Sequence, residues 1–150
     1  MNNIKIEVAS DKNTYELTQL YRKLYKGDEE QKFFNSKALP SHFVSGSRVF
    51  VAKDNGKIVG FLWAVFYEHI KNKGVGIIEE LYVDEKYRRK GIGKMLVFKA
   101  INFLKKHSTV IFVTTGLHMH DAIKFYKAIG FKESKVWFFY PIEQSKGSRE

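Results

Sequence analysis

The chain of 150 residues is 44% hydrophobic and 15% aromatic, carries 26 Lys and Arg against 16 Asp and Glu, and has no Cys. These values exclude a disordered chain, a disulfide scaffold and a thiolate nucleophile, and they suit one domain with a sizeable core. The net charge of +10 favours anionic partners, whether nucleic acid, an acidic membrane or a polyphosphorylated ligand.

Met1 to Ser10 mixes Asn, Lys and Glu with single apolar residues and does not form a signal peptide. The longest apolar stretch, Ile58 to Tyr67, carries Gly60 and is too short to span a bilayer. A reducing cytoplasm is therefore the expected compartment, without a membrane partner. Pro40 and Pro141 mark no linker, and no repeat is present, so residues 1–150 read as a single domain whose polar tail, 144–150, is frayed.

Ile4, Ile6 and Val8 alternate with polar residues as in a strand. Ser10 or Asp11 can cap a helix on which Leu17, Leu20, Tyr21, Leu24 and Tyr25 recur at helical spacing. A shorter helix is expected over 29–38. Arg48 to Lys53 predicts a strand, Asp54-Asn55-Gly56-Lys57 a hairpin turn, and Ile58 to His69 the returning strand. Lys71 to Gly74 makes another turn before a third strand, Val75 to Val83. Ile92, Met95, Leu96, Ile101 and Leu104 mark an amphipathic helix ending near His107. Thr109 to Thr115 is apolar and β-branched, as in a buried strand. His120 to Ala128 reads as a helix stopped by Gly130, and Val136 to Tyr140 as a final strand. The order β-α-α-β-β-β-α-β-α-β predicts an α/β (α+β) fold, a mixed sheet with helices on its faces.

The basic residues are not spread evenly. From Lys86 to His120 there are eight Lys or Arg and no acid. Within this run, Arg88-x-x-Gly91-x-Gly93 follows a strand and opens a helix. Glycines let consecutive N–H groups point to one side, and the helix adds its positive end. Arg88, Arg89, Lys90 and Lys94 add charge, which suits a pyrophosphate. The stretch is not a P-loop, since no Gly-Lys-Ser/Thr occurs, and its glycine spacing is not that of the dinucleotide fingerprint.

Residues 77 to 97, IIEELYVDEKYRRKGIGKMLV, resemble the acetyl-CoA motif of the GNAT superfamily of N-acetyltransferases, and residues 121 to 134, DAIKFYKAIGFKES, resemble that family's second motif. The element order fits over about residues 3 to 140. The resemblance implies a mainly antiparallel sheet splayed at the cofactor strands, with acetyl-CoA as cosubstrate and no metal. The backbone of Leu81, Tyr82 and Val83 would pair with the pantetheine arm. N–H groups from Arg89 through Gly91, Ile92, Gly93 and Lys94 would hold the pyrophosphate, with Arg88 at the loop's first position. The family's common Asn, seven residues before its tyrosine, is replaced here by Met119.

Acetyl transfer to an amine needs a base for the nucleophile, polarisation of the carbonyl and an acid for the leaving thiolate. Tyr126 occupies the position of the family's tyrosine acid; a phenol is protonated at neutral pH and can donate. Its plain alternative is packing, as one of eight tyrosines. Glu79 and Glu80 stand inside an apolar strand, where carboxylates need a reason. In a regular strand they face opposite sides, so one at most enters a cleft unless a bulge intervenes. Either can serve as base, with Glu79 favoured, and substrate positioning is the other option. The carbonyl's donor is expected from a backbone N–H near Leu81. His118 and His120 lack a third ligand, and His42, His69 and His107 carry no assigned role. Trp137, Phe138, Phe139 and Tyr140, with Phe33, Phe34 and Phe43, read as core with some rings lining an acceptor pocket.

The expected function is thus acetyl transfer from acetyl-CoA to a primary amine, a small molecule or a peptide, without a nucleic-acid partner. Asp28, Glu29 and Glu30 would add acid beside Glu79 and Glu80 for a cationic acceptor. The aromatic last strand suits a homodimer contact. The alternatives are a nucleic-acid-binding module and an acyl-CoA sensor that turns over no acceptor.

Overall fold

The structure, a computed structural model, describes residues 3–24, 46–68, 73–116 and 119–134. They fall into two compact units, Met1–Thr114 and Thr115–Glu150. The expected helix at 29–38, the strand at 136–140 and the tail lie outside the described residues, as do the acids 28–30, the aromatic residues named with them and His42, His69 and His118.

In the first unit β1 (Ile4–Val8), β2 (Ser47–Asp54), β3 (Lys57–Tyr67), β4 (Gly74–Val83) and β5 (Ser108–Val113) lie side by side in chain order. The first three junctions are antiparallel and β4–β5 is parallel. A parallel pair needs a crossover, and α2 (Ile92–Leu104) supplies it. The β2–β3 turn forms as its sequence predicts, with Asn55 at φ 49° and Gly56 at φ 86°. Gly74 opens β4 where only glycine fits: a Cβ there would meet the Tyr67 carbonyl oxygen at 1.4 Å. A 3-10 turn, Asp11–Asn13, leads into α1 (Thr14–Leu24), and the Asn13 side chain accepts from the Ser10 backbone N–H at 3.0 Å.

Strand alternation divides the core between two helices. Val49, Val51, Phe61 and Tyr82 pack with Leu17, Leu20 and Tyr21 of α1. Phe50 and Phe66 instead meet Phe103 of α2, with ring centroids 5.9 and 5.7 Å apart. The two helices therefore cover opposite faces of the sheet. On α2, Ile92, Leu96, Val97, Ala100 and Leu104 are fully buried, at the helical spacing read from the sequence. His107, past the end of α2, stacks on Phe66 at 4.0 Å and lies 3.0 Å from Glu68 Oε1.

The strand expected at 109–115 forms one residue earlier, over Ser108–Val113, and is not buried on both faces. Val110 is 42% exposed, and among the described residues β5 pairs with β4 alone. Its apolar run fits a parallel strand.

The second unit contributes α3 (His120–Ala128). Gly130, at φ 105°, follows as a C-terminal stop, and Phe131 N–H donates to the Tyr126 carbonyl at 3.0 Å.

Candidate cofactor loop and acceptor face

β4 carries most of the sequence-derived site. Its pairing with β5 ends at Ile78↔Val113, while its pairing with β3 continues to Gly60↔Val83. From Glu79 to Val83, therefore, no strand among the described residues pairs on the β5 side. Among the described residues that edge of β4 offers its backbone groups to a ligand able to hydrogen-bond with them.

The register places a bulge at the same point. Ala64 lies opposite Ile78 and Trp63 opposite Glu80, so Glu79 is the extra residue. The bulge reverses the alternation along β4. Gly76, whose added Cβ would lie 3.2 Å from Leu104 Cβ, faces α2, and Ile78 shares that face. Beyond the bulge, Tyr82 lies opposite Phe61 in the α1 core, and Glu80 lies opposite Trp63, which packs against the same core. Glu80 is thus on the α1 face. A strand without the bulge would have put it with Ile78 under α2.

Glu79 is half-buried, and burial pushes its carboxyl above the usual carboxylate range. Among the described residues no cation or donor pairs with it, so nothing opposes that shift. Tyr82 is also raised by burial, partly offset by the Arg88 guanidinium over its ring at 5.6 Å.

The loop after β4 is braced from both sides. Asp84 accepts from Lys86 N–H at 3.2 Å and pairs with Lys23 of α1 at 2.7 Å. The Lys23 hydrogen bond holds its carboxyl below the usual range, against an opposing effect of burial. Asp84 N–H donates to the carbonyl of Val59, the extra residue of a second bulge between β2 and β3. A 3-10 turn, Glu85–Tyr87, follows. Arg88 Nε then donates to the Val83 carbonyl at 2.9 Å, which holds the side chain back against the strand end.

The chain next turns twice through the left-handed region, at Arg89 (φ 62°) and Gly91 (φ 78°). Gly91 starts α2, whose first closing bond runs from Met95 N–H to the Gly91 carbonyl at 3.0 Å. The N–H groups of residues 89–94 have no backbone acceptor among the described residues. A Cβ built on Gly91 would meet nothing within 4 Å. Lys90 and Lys94 lie beside it, their ammonium groups over the rings of Tyr87 and Phe98 at 5.1 and 5.8 Å. N–H groups without a backbone acceptor among the described residues, a helix N-terminus and flanking cations fit a pyrophosphate.

Tyr126 belongs to the second unit. It is buried, at 8% exposure, between Phe125 and Phe131, with ring centroids 5.1 and 5.4 Å away. Met119, at the position where the family commonly has Asn, precedes the first turn of α3 and is exposed.

Two features escaped the sequence. The left-handed Arg89 has no composition signal, since arginine does not favour that region. Trp63 stands in an apolar strand with nothing in the sequence to mark it; the register sets it opposite Glu80, and its indole Nε1–H donates to Ser47 Oγ at 2.7 Å.

The chain matches the acetyltransferase (GNAT) family over residues 14–131 and belongs to that family. It is 32% identical over 126 residues to an uncharacterised N-acetyltransferase of Methanocaldococcus jannaschii, covering 79% of this chain and 56% of that protein. It is 36% identical over 92 residues to N-alpha-acetyltransferase 30 of Xenopus laevis, covering 61% and 34%. The chain thus spans a third to just over half the length of these relatives. Among solved structures it resembles an aminoglycoside acetyltransferase from an uncultured soil metagenomic sample, with TM-score 0.76, 25% identity and coverage of 93% and 97%. It also resembles the aminoglycoside N-acetyltransferase AAC(6')-Iy, solved in complex with CoA, with TM-score 0.77 and coverage of 96% and 97%. At 18% identity that second likeness is one of fold. No helix among the described residues is long and apolar enough to cross a membrane.

Proposed function

We propose that this chain, acting over residues 1–150 as one domain, transfers the acetyl group of acetyl-CoA to a primary amine. The observation that carries the reading is the continuous path formed by the open edge of β4, from Glu79 to Val83, and the donor-lined loop at 89–94. A strand edge suits the amides of a pantetheine arm, and the loop suits the diphosphate at its end. The backbone of Leu81, Tyr82 and Val83 holds the arm. Gly91, Ile92, Gly93 and Lys94, with Arg89 and Lys90, hold the diphosphate. Arg88 braces the strand end that aims them.

The amine arrives protonated and must lose a proton before it attacks. Glu79 takes that proton, directly or through a water, and its raised pKa makes it a better base than an ordinary exposed carboxylate. A bond forms between the amine nitrogen and the thioester carbon. A β4 backbone N–H near Leu81 stabilises the oxygen as it gains charge. The carbon–sulfur bond then breaks, the leaving thiolate receives the Tyr126 phenolic proton, and the second proton shed by the acylated nitrogen restores the phenol through solvent, while Glu79 releases the first to water. The products are an N-acetylated amine and free CoA thiol.

The test is thiol release from acetyl-CoA across a panel of primary amines, with Tyr126→Phe alongside. Turnover by the wild type, falling about a hundredfold in the variant, is the expected result. Cofactor binding without turnover of any amine would favour the acyl-CoA sensor instead, and full turnover by Tyr126→Phe would remove the phenol from the mechanism.

A further inference from the structure

We propose that Tyr87 is a positioning residue for the cofactor: it braces the loop at 88–91 against the β2–β3 hairpin and so holds that loop in the shape a diphosphate requires. The inference rests on the acetyl-transfer reading above and deepens it.

The first support is strain. Arg89 sits at φ 62°, in the left-handed region that arginine seldom enters. Such a residue keeps that conformation only where its surroundings impose it. Both of its neighbours are held. Arg88 Nε donates to the Val83 carbonyl at 2.9 Å, and the Lys90 ammonium lies over the Tyr87 ring, 5.1 Å from its centroid. The Tyr87 N–H donates in turn to the Asp84 carbonyl at 2.8 Å, and Asp84 is paired with Lys23 of α1. Tyr87 is thus anchored through its backbone on one side of the bend, and its ring meets the side chain on the other.

The outer end of the same side chain is the second support. The Tyr87 hydroxyl hydrogen-bonds to the Asp54 carboxylate. Burial first, then the Asp54 charge and this hydrogen bond, push the phenol above its ordinary range, so it stays protonated and remains the donor. Asp54 closes β2 opposite Lys57 and also accepts from the Asn55 side chain at 3.3 Å. A two-residue turn between paired strands is a stiff support.

The third is what the ring contact leaves available. An ammonium has three donors, and a ring face engages it from one side. Lys90 is therefore held in place and can still donate to a phosphate oxygen. The same bend sets the directions of the N–H groups that follow it into α2. A loop already in its binding shape loses less freedom when the ligand arrives.

The experiment holds one acetylated amine constant and compares two donors. Acetyl-pantetheine has the thioester and arm of acetyl-CoA without the diphosphate and nucleotide. Tyr87→Phe keeps the ring and loses the hydroxyl. It should raise KM for acetyl-CoA about fivefold, with kcat and the KM for acetyl-pantetheine unchanged. Tyr87→Leu, which also takes the ring from Lys90, should raise the acetyl-CoA KM further. In an Asp54→Ala background, Tyr87→Phe should have no added effect, because the hydrogen bond is already gone. An unchanged KM for acetyl-CoA in Tyr87→Phe overturns the inference. An equal rise for both donors overturns it too, as the sign of general damage to the fold. A full effect of Tyr87→Phe in the Asp54→Ala background overturns the tie to the hairpin. If Tyr87→Leu fails to fold, Tyr87→Phe carries the test. If the wild type releases thiol with no amine, the acetyl-transfer reading fails, and the dissociation constants of acetyl-CoA for wild type and Tyr87→Phe, measured by calorimetry, decide the inference by the same ratio.

Discussion

In the proposed reaction Glu79 is the base that takes the amine's proton. A bulge spares its side chain from regular alternation, and burial raises its pKa. The rate should therefore rise with pH along a limb centred above the ordinary carboxylate value of about 4.3. Glu79→Gln should remove that limb and lower kcat by about a hundredfold or more. The same shift has a consequence for stability. An acid whose folded pKa is raised favours the folded state while protonated, and that stabilisation is lost as pH rises through the folded value. At neutral pH the Glu79 carboxylate is thus a burden on the fold, and Glu79→Gln should leave the melting temperature unchanged or higher. A catalytically dead variant with a marked loss of stability at neutral pH would contradict both halves of the argument. Asp84 has the opposite sign. The Lys23 hydrogen bond lowers its folded pKa, so its contribution is present above the unfolded value of about 3.9 and is lost as pH falls through the lower folded value. The stability difference between wild type and Asp84→Asn should be full at pH of about 6 and shrink on acidification. A difference that stayed constant down to strongly acid pH would show that Asp84 acts without its charge.

At the scale of elements, the sequence announced what is periodic and local. Strand alternation in β1, the Asn55-Gly56 hairpin, the apolar stripe of α2 and the glycine stop after α3 are each written in a few adjacent residues. The glycine loop was legible for the same reason, and so were Glu79 and Glu80 as carboxylates out of place in an apolar strand. Pairing was not legible, because which residues face each other across two strands depends on register. The bulge at Glu79, the turning of Glu80 to the α1 face and the placing of Trp63 opposite it all follow from pairing. Two glycine variants separate local strain from steric exclusion. Gly91→Ala places its Cβ in open space, so backbone strain alone remains, and stability should fall by about 1–2 kcal/mol. Gly74→Ala drives a Cβ into the Tyr67 carbonyl, and the loss should exceed about 4 kcal/mol, enough to prevent accumulation of folded protein. Equal effects from the two substitutions, read by chemical denaturation, would mean that the β3–β4 turn relaxes freely.

For the whole molecule, the central claim is that the cations concentrated between Lys86 and His120 and the glycines among them serve a bound acetyl-CoA. A nucleic-acid module of the same charge would bind DNA or RNA with an affinity falling steeply in salt, and would not respond to the cofactor. Thermal unfolding with and without acetyl-CoA tests the claim most directly, with a variant combining Gly91→Asp and Gly93→Asp as the control. At 100 times its dissociation constant, the ligand should stabilise the wild type by about 2.7 kcal/mol, and the variant, with two carboxylates facing the diphosphate, should show no shift. An unshifted wild type, or a variant stabilised as strongly as the wild type, would contradict the assignment of the loop at 89–94 to the cofactor.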